Sequence, residues 1–310
     1  MTLKIVVMGS GGVGGYFGGR LAHSGSKVTF VARGAHLAAI RQSGLRIESS
    51  TGDAVIAPAT VTMDPADAED TDIVIFAVKM ADTEQAAASI KPLVQRGARV
   101  FTFQNGVASA DRVGRIVGHE NVVSGTAQIA AVIKEPGVIK HTGTMQRLVF
   151  GEIDGAPSSR TQRFLEACKA AGINAELSGD IARTVWQKFV FLAPFAGLTT
   201  LTRGTIGPIR SEQRSRQLLE RAIREAVLVG AAHGINIGEA DIPERLTIID
   251  NLPSEMTSSM CHDLLAGKPL EVNGLSGEVV RLGEVHGIPT PVHSFIADLL
   301  SVFEKGAGKA

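Results

Sequence analysis

Short apolar runs alternate with small-residue or amphipathic stretches through the first half of the chain. Lys4-Ile5-Val6-Val7-Met8 reads as a strand, a small-residue stretch through Leu21 and Ala22 as a helix, and Lys27-Val28-Thr29-Phe30-Val31 as a second strand. Asp72 to Val78 is an apolar run of the kind a buried strand carries, and Ala81 to Val94 follows with Ile90, Leu93 and Val94 at helical spacing. Arg99 to Phe103 is the next strand, and Val122-Val123 opens another. Alternation of this kind predicts a parallel sheet with helices on both faces. Val132 to Val149 breaks the rhythm: turns at Glu135-Pro136-Gly137 and His141-Thr142-Gly143 predict short antiparallel strands at a sheet edge. A helix over Ser159 to Ala171 and a strand near Ala175-Glu176-Leu177 close this half.

Beyond Asp180 strand signals become sparse and helical patterns dominate. Ile181 to Leu198 is strongly apolar, and Ser211 to His233 places Leu218, Leu219, Ala222, Ile223, Ala226, Val227 and Val229 on one side. Further helices are predicted over 239–250, 255–265, 273–286 and 292–303. The boundary falls after Ser178-Gly179. The fold class is therefore α/β, with a doubly wound sheet domain over 1–179 followed by an all-helical domain over 180–310.

Composition narrows the function classes. The chain has 310 residues, 44% hydrophobic and 20% charged, which suits a soluble globular protein of two domains. The formal net charge is zero with no charged block, so nothing favours a nucleic-acid partner. The two cysteines, Cys168 and Cys261, have no metal-ligand spacing; this argues against a disulfide framework or zinc site and suits the reducing cytoplasm. The N-terminal apolar run is too short for a signal peptide, and no stretch reaches membrane-spanning length without a charge or glycine. His36, His233, His262, His286 and His293 form no ligand-spaced pair and read as surface or capping residues, with no metal expected.

Candidate chemistry starts at Gly9-Ser10-Gly11-Gly12-Val13-Gly14, set between the first strand and the first helix. This is the context a dinucleotide fingerprint requires. Gly9 permits the tight turn, Gly11 lets the main chain approach a pyrophosphate, and Gly14 lets helix and strand pack closely. The second strand ends Phe30-Val31-Ala32-Arg33 with no acid to hold a ribose 2′-hydroxyl, and a guanidinium suits a 2′-phosphate. That predicts NADPH over NADH, the other reading of Arg33 being a solvated surface side chain. Lys79 and Asn105 each follow the carboxyl end of a predicted strand, where ligands of open α/β sheets bind; Asn105 alone also suits a simple turn before Gly106. Lys188 stands in Val185-Trp186-Gln187-Lys188-Phe189-Val190-Phe191-Leu192, close to the expected interdomain cleft. Desolvated there, it would be a proton donor near neutral pH; otherwise its head reaches solvent. Glu271, two residues after Pro269, reads from position alone as an acid in the first turn of a helix. Ser258-Ser259-Met260 reads as a helix start.

Taken in order, these pieces resemble the ketopantoate reductase (2-dehydropantoate 2-reductase) family over nearly the whole chain. The matching segments are the glycine motif, Ala32-Arg33-Gly34, Ala77-Val78-Lys79, Gln104-Asn105-Gly106, Gly125-Thr126, Trp186-Gln187-Lys188, Ser258-Ser259-Met260, Lys268-Pro269-Leu270-Glu271 and His286-Gly287-Ile288-Pro289-Thr290-Pro291. The resemblance implies an NADPH-binding Rossmann-type domain joined to a helical substrate domain. It also implies hydride transfer to the ketone of a 2-oxo acid, a small-molecule partner. By position, Lys188 matches the proton donor, Lys79 and Asn105 match residues contacting cofactor and substrate, and Glu271 matches a cofactor-side acid. Ser259 matches a substrate contact and Ala130 a main-chain cofactor contact. The resemblance permits monomers and homodimers alike. Where the ketopantoate-specific pattern has asparagines, this chain has Leu192 and Ala196, with Met256 or Thr257 at a third, and the usual Asn-Gly after the acid reads Ser276-Gly277. Three readings follow: a ketopantoate reductase serving pantothenate synthesis, a reductase of a less polar carbonyl compound, and a non-catalytic NADPH sensor.

Overall fold

The computed structural model describes residues 2–68 and 70–306. The chain divides into two compact units, Met1–Gln104 with Ala108–Ile181, and Asn105–Val107 with Ala182–Ala310. In the first unit the chain runs β1 (Lys4–Met8), α1 (Gly12–His23), β2 (Lys27–Val31), α2 (Gly34–Ser43), β3 (Leu45–Ser49), β4 (Ala54–Ile56), β5 (Thr60–Thr62) and β6 (Ile73–Phe76). It continues α3 (Thr83–Gln95), β7 (Arg99–Thr102), α4 (Ser109–Val117), β8 (Val122–Glu135), β9 (Val138–Gly151), α5 (Ser159–Ala170) and β10 (Asn174–Leu177).

The sheet order is β4-β3-β9-β8-β7-β6-β1-β2-β5, with β10 also paired to β9. From β5 to β8 the neighbours are parallel. Side chains alternate between two cores. Ile5, Val7, Ile73, Ile75 and Phe101 pack with Tyr16, Phe17 and Leu21 of α1 and with Phe164 and Cys168 of α5. Val6, Met8, Val74, Phe76 and Val100 pack with Ala86, Ile90 and Leu93 of α3 and Val113 of α4. Burial on both faces explains why β1 and β6 read as unbroken apolar runs rather than alternating ones.

The antiparallel part differs from expectation. β8 and β9 are 14-residue strands joined by a turn at Pro136-Gly137. They lie inside the sheet, not at its edge: β9 carries β8 on one side, and on the other pairs with β3 (Arg46↔Val138 to Ser49↔His141) and with β10 (Asn174↔Arg147 to Leu177↔Phe150). Burial of Ile139, Leu148 and Phe150 requires that interior position. His141-Thr142-Gly143 is not a hairpin turn. Pairing passes from Ile129↔Gln146 to Ala131↔His141, so residues 142–145 bulge opposite Ala130, with Gly143 at φ +76°.

In the second unit α6 (Ile181–Thr202, its first residue grouped with the first unit) is followed by α7 (Ile206–Ser211), α8 (Gln213–Ala232), α9 (Ile242–Asp250), α10 (Ser259–Leu265), α11 (Ser276–His286) and α12 (Pro291–Leu300). No strand occurs here among the described residues. The helix expected over 211–233 is α8, which starts at Gln213 because Glu212 caps it, accepting from the Ser215 amide at 2.7 Å; the short α7 ends just before it at Ser211. α10 begins at Ser259, not near Glu255, because Ser258 caps it, accepting from the Cys261 amide at 3.1 Å. α8 packs against α11 and α12, and buries Ala222, Ile223 and Ala226. Glu225, also buried, accepts the Val292 and His293 amides at 3.0 Å each and so caps α12. No helix among the described residues is long and apolar enough to cross a membrane.

Candidate active site

The glycine motif forms the bend between β1 and α1. Gly9 has φ +96°, and a Cβ there would stand 2.8 Å from the main chain of Ala77 and Val78. Ser10 is buried, its Oγ donating to the Val31 carbonyl at 3.0 Å and its amide to the same oxygen at 3.2 Å. A Cβ on Gly12 would lie 2.0 Å from the Ala131 carbonyl oxygen, and one on Gly14 2.2 Å from that of Gly9. Val13 packs half-buried on the core. At Gly11, the N-cap of α1, the space is open instead. No side chain caps α1 and its first turn carries no acid, so the first-turn amides and the positive end of the helix dipole suit an anionic group such as a pyrophosphate.

The same unit carries three other predicted residues. Arg33 is exposed at the N-cap of α2, just past β2. Lys79 is exposed where the chain leaves β6. Ala130 is exposed on β8, at the bulge. Gln104 was not singled out by sequence reasoning, although the Gln104-Asn105-Gly106 segment marks it. It is buried and donates to the Val78 carbonyl at 3.0 Å and to Thr83 Oγ1 at 2.9 Å, so it pins the segment that carries Lys79.

Three predicted residues, far apart in sequence, meet in the second unit. Lys188 Nζ donates to Asn105 Oδ1 at 2.9 Å, and Asn105 Nδ2 donates to Glu271 Oε2 at 3.5 Å. Desolvation lowers the Lys188 pKa to about 8, against the opposing pull of the Glu271 charge. A lysine so placed can hold and release a proton close to neutral pH. Glu271 is not in the first turn of a helix: α11 starts only at Ser276, and the Glu271 carbonyl closes a turn with the Gly274 amide at 3.2 Å. Ser259 is exposed at the start of α10 and forms no hydrogen bond with this trio, whereas its neighbour Ser258 is buried against Thr199 Oγ1 at 2.9 Å. Leu192 and Ala196 follow Lys188 at spacings of four and eight along α6, the first half-buried and the second buried.

Two histidine expectations need correction. His36 and His293 are not surface residues. His36 is half-buried, and His293 is buried between the Ala222 carbonyl (3.0 Å) and Ser276 Oγ (3.2 Å), where desolvation lowers its pKa to about 4. His233 and His286, remote in sequence, bring ring nitrogens within 3.0 Å. Among the described residues no three His, Cys, Asp or Glu side chains gather as a metal site would require.

Comparison with known proteins finds matches over most of the chain. The family model "Ketopantoate reductase PanE/ApbA" matches residues 5–155, and "Ketopantoate reductase PanE/ApbA C terminal" matches residues 180–304. The 2-dehydropantoate 2-reductase of Halobacterium salinarum is 31% identical over 304 residues, covering 98% of this chain and 99% of the relative. The crystal structure of 2-dehydropantoate 2-reductase from Geobacter metallireducens superposes with TM-score 0.90 at 27% identity, over 97% of this chain and 99% of the other. A ternary structure of D-mandelate dehydrogenase with NADH and anilino(oxo)acetate shares the fold at TM-score 0.89 and 22% identity, over 97% of this chain and 98% of the other. The glycine bend, the helical second unit and the Lys188 trio thus stand in a chain that belongs to the ketopantoate reductase family, oxidoreductases acting on CH–OH groups.

Proposed function

We propose that the protein reduces the ketone of a 2-oxo acid to a 2-hydroxy acid with NADPH, with ketopantoate as the first substrate to test and pantoate, for pantothenate synthesis in the cytoplasm, as its product. The observation that carries this reading is the 2.9 Å bond from Lys188 Nζ to Asn105 Oδ1, in surroundings whose desolvation lowers the lysine pKa to about 8. The amides of the Gly9–Gly14 bend bind the pyrophosphate, and Arg33, where an acid would select NADH, binds the 2′-phosphate. Lys79 and the Ala130 main chain add cofactor contacts, and Ser259 a substrate contact. When bound, the reduced nicotinamide supplies a hydride to the carbonyl carbon. Lys188 hydrogen-bonds the carbonyl oxygen and gives its proton to that oxygen as negative charge develops. Asn105 Oδ1 fixes the ammonium, and the Glu271 carboxylate keeps it protonated at neutral pH.

Leu192 and Ala196 favour a second reading, in which the substrate is a less polar 2-oxo acid. Neither side chain can hydrogen-bond a substrate hydroxyl, and each such bond is worth about 1 kcal/mol. The test is NADPH consumption by purified protein over a panel of 2-oxo acids, ketopantoate included. Fastest turnover with ketopantoate supports the first reading and fastest turnover with apolar 2-oxo acids the second. NADPH binding without turnover on any of them overturns both and leaves a cofactor sensor.

A further inference from the structure

His36, the third residue of α2, joins two segments that are distant in the chain. Its Nε2 lies 2.9 Å from the Ser10 carbonyl oxygen, and its Nδ1 lies 3.0 Å from the Gly137 amide nitrogen. The carbonyl can only accept and the amide can only donate, so the partners fix the ring as the neutral tautomer protonated on Nε2. Burial favours the same state by holding the imidazole below its usual pKa, against the pull of the Ser10 carbonyl. The far anchor is firm. Gly137, at φ +81° in the β8–β9 turn, accepts from the Arg46 amide at 2.9 Å, and a Cβ on it would stand 3.1 Å from Ala39 Cβ of α2.

The near partner is the peptide that joins Ser10 to Gly11. In a trans peptide the C=O and N–H point in opposite directions. A carbonyl held on His36 therefore aims the Gly11 amide away from α2. Gly9, Gly11 and Gly12 surround this peptide, and glycine offers little resistance to its rotation. We infer that His36 is a positioning residue for cofactor binding: it holds the Ser10–Gly11 peptide so that the Gly11 amide faces the pyrophosphate, and it braces the bend against the β8–β9 turn. This rests on the dinucleotide reading of the bend.

His36→Gln and His36→Asn separate the two contacts. The glutamine amide nitrogen reaches the place of Nε2 and keeps the Ser10 bond. The asparagine carbonyl reaches only the place of Nδ1 and keeps the Gly137 bond. NADPH affinity is measured by fluorescence titration, and thermal midpoints are measured without cofactor. The expected result is that His36→Gln binds like the wild type, while His36→Asn binds about five- to tenfold more weakly, with matching midpoints for the two variants. Equal affinity of the two variants, whether unchanged or equally reduced, overturns the role of His36 alone. Failure of the wild type to bind either NADPH or NADH overturns the dinucleotide reading itself.

Discussion

In the proposed function the groups that Gly9–Gly14 would offer a ligand are main-chain amides, whereas those around Lys188 are side chains. The first region works by what it leaves out. Four glycines and an uncapped helix keep the main chain bare; an added methyl would enter the Ala131 carbonyl at Gly12 and the bend's own Gly9 carbonyl at Gly14. The second works by convergence. Asn105 lies 83 residues before Lys188 and 166 before Glu271, and only folding joins them. A bare main chain leaves a local mark in the sequence, while a converging trio leaves scattered residues of ordinary type.

The contrast predicts separable defects. The largest is expected for Lys188→Ala, which should lower kcat by about 10²- to 10⁴-fold and leave NADPH affinity unchanged in a binding titration. A parallel loss of affinity would break the distinction between the two regions. Gly14→Ala should lower stability to urea by about 1–3 kcal/mol, because its methyl meets the Gly9 carbonyl oxygen. Gly11→Ala has open space, so its stability should hold while NADPH binding weakens. The pH profile comes next. Only the ammonium form of Lys188 donates a proton, so reduction should slow as pH rises through about 8. The Glu271 charge raises that pKa, so Glu271→Gln should move the descending limb to lower pH, as seen in kcat/KM against pH. An unmoved limb would remove Glu271 from the trio. The smallest effect belongs to exposed Arg33: Arg33→Ala should reduce the NADPH-to-NADH preference about fivefold in paired kinetics.

Much of the fold was legible because its signals are local. β1, β2, β6 and β7 are apolar runs bounded by turns, and the switch to helices near residue 180 shows in the pattern. α2, α4, α7 and β3 to β5 went unpredicted. β4 and β5 have three residues each, too few to show a period, and they exist through pairing with β3 and β2. At His141-Thr142-Gly143 the sequence marked a real departure from the ladder, but whether glycine there closes a hairpin or a bulge depends on the partner strand. In the candidate site, Lys188 stood out because a charge in an apolar helix is conspicuous. Glu271 did not, since Pro269 two residues before it suggests a helix start that the chain postpones to Ser276. His36 looks like any histidine near a helix start until Ser10 and Gly137 are placed on either side of it.

The grouping of Asn105–Val107 with the helical unit makes that unit discontinuous along the chain. A fragment beginning at Ala182 would keep Lys188 and Glu271 but leave the amide between them behind. Gene fusions that exchange the C-terminal unit with a relative's would therefore transplant an acid and a lysine into the company of the host's own Asn105 loop. Modular shuffling at residue 181 thus carries a hidden compatibility requirement, written at Asn105, well upstream of the joint.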